Sequence, residues 1–567
     1  MIETLPIIRS RKELVSGIRP SERRTTEGGC GVIGIIGTEP MQGRLIIRSC
    51  EQMHNRGNGK GGGVAAVGLF NDRKDDYAVQ VAFLDESARG DLEKNFILNN
   101  FDVAHAERQE TIDDHRDLGL EIRPPTVWRY FARVRGDRLD AFSRKNGIQE
   151  PRAAEDEFVY QNSFKINSAY YVKSSPPRAF VLSHGRNLMI LKAVGYAEQV
   201  ARYYRLENRK ANVWIGHQRY PTRGRVWHPG GAHPFVGLNE ALVHNGDFAN
   251  YHAVTEYLRQ KGMVPLFVTD TEVAVLLFDF YARVLGYPLE FLIEALAPTP
   301  EGDFERLSKQ KQRIYRAIQT AHIHGSPDGP WFFIVVRTEP QTGLPQLIGI
   351  TDVSMLRPQV FALQLGEKSY GAIASEKQAI DAFFEELSAA DPGVPSVADR
   401  YWNARGGSCT DGGAFVYTLK KQDGRLALDV RDKFGSEISK PVARSDKSSD
   451  QIDGSPRKHF EARPNRMAAL VPVCGEAEAG NIGEEEYPES PEGGVLIQSE
   501  YPTTSHLLSD LRRGRLAVFL QGVEKILQQG GAGAWKTALD SLTLVRDRRW
   551  DPQNERRASL LAAIDRA

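Results

Sequence analysis

The stretch Thr25-Thr26-Glu27-Gly28-Gly29-Cys30-Gly31-Val32-Ile33-Gly34 sets a cysteine between glycines, at the mouth of an apolar run. A structural cysteine belongs inside such a run, where it behaves as a small buried hydrophobe. At the mouth, the same thiol reads as a nucleophile. If the Gly29–Cys30 bond is cut, Cys30 gains a free α-amino group beside its own sulfur. That amine titrates near pH ~8, so near neutral pH part of it is an unprotonated base able to activate the thiol. The stretch therefore predicts a strand that starts at its own nucleophile, with residues 1–29 as a leader to be removed.

Composition narrows the field around that cysteine. The chain has 567 residues, room for several domains or one large domain with additions. Lys plus Arg and Asp plus Glu are both 73, so the formal net charge is zero. That balance leaves no electrostatic footprint for nucleic acid or an anionic membrane surface. The four cysteines, Cys30, Cys50, Cys409 and Cys474, are far apart and contain no CxxC pair. A zinc or iron–sulfur site is not expected from that spacing, and so few cysteines fit a reducing cytosol. The first 29 residues are too charged for a secretory signal. No apolar run approaches the ~20 residues of a membrane span; the best, Val273–Phe278, meets Asp279 at once.

Periodicity divides the rest. Strands are expected at 31–37, 64–70 and 77–84. A charged, mixed stretch over about 85–175 reads as an insertion, with a helix at 85–99 and a strand at 101–110. Strands return at 179–182, 188–194, 213–220 and 241–244. Helices follow at 251–259, 271–285, 289–296 and 304–323, with Asp270 as a plausible cap of the second. Further strands are expected at 331–337, 347–352, 359–365, 370–374, 414–419 and 425–430, with a helix at 377–387. Two strand clusters with helices between and after them suggest stacked sheets under helical layers. Residues 436–500 are rich in Ser, Pro, Gly and Glu and read as a partly disordered linker. Residues 501–567 regain helical apolar spacing and read as a small appendage.

Three further segments carry residue types suited to chemistry. In His217-Gln218-Arg219-Tyr220-Pro221-Thr222, an arginine at a strand end is either a surface cation or a fork for a carboxylate. In His244-Asn245-Gly246-Asp247, Asn-Gly is either a hairpin turn or an oxyanion hole, formed by the Asn245 amide and the Gly246 N–H. In Thr269-Asp270-Thr271-Glu272, the aspartate either caps a helix or holds a substrate ammonium. A nucleophile, a carboxylate fork, an oxyanion hole and an ammonium acceptor together outline an amino acid with a side-chain amide.

At this point the chain resembles the class II glutamine amidotransferases. The resembling segments are CGVIGI at Cys30, GNGKGGG at Gly57, GHQRYPT at Gly216, GGAHPF at Gly230, HNGDFANY at His244 and TDTEV at Thr269. DGPWFFIVV at Asp328, DVSMLRP at Asp352 and ASEKQAID at Ala374 fit as well. The likeness covers about residues 30–435 and is greatest to the amidotransferase part of glutamate synthase, in its archaeal-type stand-alone form. Two departures stand out. The usual His-Arg-Gly is here His54-Asn55-Arg56-Gly57, and the loop Arg223–Pro229 lacks the expected threonine.

The resemblance implies an α+β fold, the four-layer αββα sandwich of the N-terminal-nucleophile hydrolases, carrying the insertion and the helical appendage. It implies Cys30 as nucleophile, Asn245 and Gly246 as the oxyanion hole, Arg219 and Thr222 at the glutamine α-carboxylate, and Asp270 at the α-ammonium. No metal or cofactor is expected. The ~130 residues after 435 are fewer than the ~250 of a (β/α)₈ barrel. The ammonia acceptor is therefore expected on another chain, a flavin-dependent synthase in a hetero-oligomer serving cytoplasmic nitrogen assimilation. Two alternatives stay open: an amide-cleaving acylase, and a catalytically silent glutamine sensor or scaffold of the same fold.

Overall fold

The computed structural model describes residues 29–220, 228–340, 342–357 and 359–438. The expectations for the leader before residue 29, for Thr222 and its loop, for the linker beyond 438 and for the C-terminal appendage lie outside the described residues.

The chain opens with β1 (Gly31–Gln42), α1 (Gly43–Glu51), β2 (Gly62–Val67), β3 (Tyr77–Phe83), β4 (Phe101–Arg108), β5 (Thr126–Val134) and α2 (Pro151–Asn167). It continues through β6 (Ala179–Ser183), β7 (Leu188–Ala193), α3 (Ala197–Tyr203), β8 (Lys210–Gln218), β9 (Phe235–Val236) and β10 (Glu240–Gly246). After α4 (Tyr251–Gln260), α5 (Asp270–Asp279) and α6 (Lys309–His322) come β11 (Trp331–Thr338), β12 (Pro345–Thr351), β13 (Val360–Gln364) and β14 (Tyr370–Ala374). Then follow α7 (Lys377–Ala390), β15 (Arg400–Trp402), β16 (Ala414–Gln422) and β17 (Arg425–Asp432).

The strands form three sheets. A seven-stranded sheet runs β15-β13-β14-β1-β8-β2-β7, a six-stranded sheet runs β17-β16-β12-β11-β10-β9, and a four-stranded sheet runs β4-β5-β3-β6. The two larger sheets pack face to face. Helices α1, α3 and α7 lie on the outer side of the first, and α4 and α5 on the outer side of the second. The sequence explains the close approach. A Cβ on Gly34 of β1 would come within 2.6 Å of Leu347 and 2.8 Å of Ile334 on the facing sheet, and one on Gly349 within 2.5 Å of Phe361. Larger residues at either position would wedge the sheets apart.

One grouping differs from expectation. The run at 77–84 reads as part of the first strand cluster, yet β3 pairs with β5 and β6 in the third sheet. All seven of its residues are buried. Tyr77, Val79, Val81 and Phe83 join the core under α2, while Ala82 on the other face joins the main core. A strand covered on both faces reads as a continuous apolar run, which does not say which sheet takes it.

Among the described residues, no helix is long and apolar enough to cross a membrane. Nor do any three His, Cys, Asp or Glu side chains there gather as a metal site.

Candidate active site

The start of β1 pairs with the end of β8, Gly31 opposite Gln218. This register sets Cys30 beside the two residues that follow β8, Arg219 and Tyr220. The Tyr220 N–H donates to Cys30 Sγ at 3.3 Å, and the thiol donates to the Tyr220 carbonyl at 3.6 Å. Cys30 is 8% exposed. Burial pushes it up to about 11. The Tyr220 hydrogen bond and the charges of Arg219 and Arg357 pull against that, while Asp270 adds to it. Cys30 in the continuous chain is therefore a protonated thiol at neutral pH, and its activation needs a base.

The glycine-rich turn between α1 and β2 grips Arg219. The Arg219 N–H donates to the Gly61 carbonyl at 3.1 Å, and the Asn58 N–H donates to the Arg219 carbonyl at 3.2 Å. A Cβ on Gly61 would stand 3.0 Å from Arg219 Cδ. Arg219 is almost completely buried. Burial lowers its affinity for a proton, partly offset by Cys30 and Asp270.

Asn245 and Gly246 end β10, paired with Phe332 and Trp331 of β11. They are not a hairpin turn, since the chain passes on into α4. Gly246 has φ +146°, and a Cβ there would meet the Pro330 carbonyl at 2.2 Å, so glycine is required. Asn245 is fully buried, and neither its Nδ2 nor its Oδ1 has a hydrogen-bond partner among the described residues. Leaving a buried polar group unsatisfied costs about 1–3 kcal/mol. Such a cost is expected where a ligand completes the bonding.

Asp270 is the first residue of α5, but it is not the cap. Thr269 is the N-cap, its hydroxyl accepting the Glu272 N–H at 3.1 Å. The Glu272 carboxylate in turn accepts the N–H groups of Leu266, Phe267 and Val268. With Thr269 as the cap and Glu272 holding the preceding loop, Asp270 is left available. Its Oδ1 accepts the Thr271 N–H at 2.8 Å. Its Oδ2 lies 3.7 Å from His244 Nδ1, buried and without a hydrogen-bond partner among the described residues. Burial alone would raise this carboxyl. His244, Asp247 and the Thr271 N–H outweigh it and hold the group below the usual carboxylate range.

Three histidines line the floor of the site, a cluster the sequence analysis did not single out. His217 and His233 stack at 4.1 Å. His217 Nε2 donates to the His244 carbonyl at 3.1 Å, and the Thr271 hydroxyl lies 3.2 Å from His233 Nδ1 and 3.4 Å from His244 Nδ1. Burial pushes His217 down to about 3 and His233 well below its ordinary range. Both rings are neutral at pH 7, and they contact the neighbours of the two site residues, His244 before Asn245 and Thr271 after Asp270. Each histidine sits in a motif quoted above, but only the fold brings together residues 217, 233 and 244.

Cys30, Arg219 and Asp270 are thus close enough to bias one another's charge, and Asn245 and Gly246 follow directly on the His244 that faces Asp270. Thr222 lies outside the described residues. Elsewhere, a cavity of about 670 Å³ is lined by Leu289, Leu344, Val416, Lys421 and Arg431 among others, and contains none of these residues.

No protein-family model matches the chain. An Archaeoglobus fulgidus protein described only as uncharacterized is 30% identical over 408 residues, 71% of this chain and 96% of that protein. The glutamine–fructose-6-phosphate aminotransferase (isomerizing) of Campylobacter jejuni is 40% identical over 100 residues, 18% of this chain and 17% of that protein. Among solved structures, the glutamine phosphoribosylpyrophosphate amidotransferase of B. subtilis has 14% identity. It covers 71% of this chain and 49% of that one at a TM-score of 0.31, too low to bear on the fold.

Proposed function

The chain belongs to one family with the Archaeoglobus fulgidus protein and has glutamine amidotransferases among its homologues, and from that premise we propose that it hydrolyses glutamine through Cys30. In this reading it is a class II amidotransferase with the N-terminal-nucleophile fold. It is the glutaminase subunit of a glutamate synthase-like assembly, and the ammonia goes to a separate flavin-dependent synthase chain.

The observation that carries the reading is the orphaned Asn245 amide at the end of β10, next to a glycine that tolerates no side chain. A donor held dry and unpartnered is what a developing oxyanion needs. The steps follow from the chemistry of the groups. Cutting the Gly29–Cys30 bond frees the α-amine. The amine takes the thiol proton, through a water, as Sγ attacks the side-chain amide carbon of glutamine. The oxyanion is held by Asn245 Nδ2–H and the Gly246 N–H. The C–N bond breaks as the ammonium of Cys30 returns its proton to the departing nitrogen, releasing ammonia and leaving a γ-glutamyl thioester. Water then cleaves the C–S bond, giving glutamate and regenerating the thiol. Arg219, with Thr222, binds the α-carboxylate. The buried, ionised Asp270 binds the α-ammonium.

The test is glutamate release from glutamine by purified chain that begins at Cys30, expected without any acceptor. A chain with that N-terminus and no glutaminase activity contradicts the reading. An uncut chain that binds glutamine without turnover supports the silent sensor instead, since its buried thiol has no base.

A further inference from the structure

We propose that Arg357 is a positioning residue that keeps the α-amino group of processed Cys30 in its neutral, proton-accepting form. The inference rests on the reading above, in which that amine exists.

Two guanidinium groups press on Gly29, the residue that leaves. A Cβ there would stand 3.0 Å from Arg56 Nη2 and 3.7 Å from Arg357 Nη1. That position is three bonds from the nitrogen that becomes the amine. The two arginines differ in their compensation. Arg56 is paired with Glu376 at 3.4 Å. Arg357, on the loop after β12, makes no hydrogen bond or ion pair among the described residues, and its Nε is buried without a partner. Its charge nevertheless reaches Cys30, where it opposes the effect of burial on the thiol.

Among the described residues, the charged groups around Cys30 are Arg56 after α1, Arg219 after β8, Asp270 at the start of α5, Arg357, and Glu376 behind Arg56 just before α7. Arg219 and Asp270 offset one another, as do Arg56 and Glu376. Among the described residues Arg357 is the charge left over. A like charge within a few ångströms disfavours an ammonium. An amine that ordinarily titrates near ~7.7–8.0 is thereby held neutral at lower pH.

The experiment measures kcat/KM for glutamine against pH in full-length wild type, R357Q and R357K, each checked by intact mass for a mature start at Cys30. The expected acid limb of the wild type lies below the ordinary α-amine range. In R357Q it moves up by about one pH unit, a loss of about tenfold well below the limb, and the profiles converge at alkaline pH. R357K keeps the wild-type limb. An unmoved limb in R357Q, or an equal loss at every pH, overturns the inference. Should R357Q fail to mature, the rate at which an acid anhydride acylates the wild-type Cys30 amine gives the same quantity. A midpoint at or above ~7.7 overturns the proposal, and one below it supports it. Glutamine turnover by chains that keep residue 29 would instead sink the underlying reading, and the intact mass distinguishes the two failures.

Discussion

Two buried thiols sit near the same end of β8 and illustrate how differently a fold treats one functional group. Cys50, on α1, lies against β8 so closely that a Cβ on Gly216 would stand 2.5 Å from its sulfur. It is fully buried, and burial together with Glu198 and Glu51 raises its thiol well above the ordinary range. Nothing there favours a thiolate. Cys30, just beyond that same end of β8, is also buried, but it receives an N–H from Tyr220 and faces Arg219 and Arg357. Burial alone does not separate the two. The donors and cations at one thiol and the carboxylates at the other do.

The comparison breaks or holds most sharply on exchange of the two cysteines. Cys30→Ala is expected to abolish glutamine hydrolysis. Cys50→Ala should leave kcat near wild type and lower stability by about 1 kcal/mol, as a small core truncation does, measured by thermal unfolding. Equal activity in the two variants would erase the distinction. Next in size is the oxyanion donor. Asn245→Ala should lower kcat by about 10²–10³-fold with little change in KM, read from steady-state glutaminase kinetics. Asp270→Asn removes a charged partner of the ammonium and should raise KM for glutamine by about tenfold or more, with the smaller effect on kcat. The reverse split would move Asp270 from binding into chemistry.

The last prediction concerns stability rather than rate, through the buried histidines His217 and His233. His217 and His233 stay neutral when folded, whereas unfolded histidine takes up a proton near pH ~6.5. The unfolded chain therefore binds more protons below that pH, so stability falls as pH drops from about 6.5 toward the folded value of about 3 for His217. The expected slope approaches about 1.4 kcal/mol per pH unit for each ring, followed by denaturant unfolding. His217→Gln should flatten part of it.

Much of the layout was legible because the strands announce themselves as apolar runs. The segment from Gly31 to Gly37 reads directly as the start of β1. The run at 77–84 was legible as a strand but not as a member of the third sheet, because both of its faces are buried. At the site, Cys30, Arg219, Asn245 and Asp270 stood out through residue type and position. The sequence left Asn245-Gly246 open between turn and oxyanion hole, and Asp270 open between cap and ligand. The register of β10 on β11 excludes the turn, and Thr269 takes the role of cap. Arg357 was quoted only within a motif, because its approach to residue 29 spans more than three hundred positions and no local pattern encodes it. The stacking of His217 on His233, only sixteen positions apart, is likewise encoded by no local pattern.

The central claim is that the active nucleophile is the first residue of the mature chain. The most direct measurement is N-terminal sequencing of the glutaminase-active fraction purified from the native host. The account predicts a sequence beginning Cys30-Gly31-Val32. Active protein that still carries Gly29 ahead of the cysteine would contradict it.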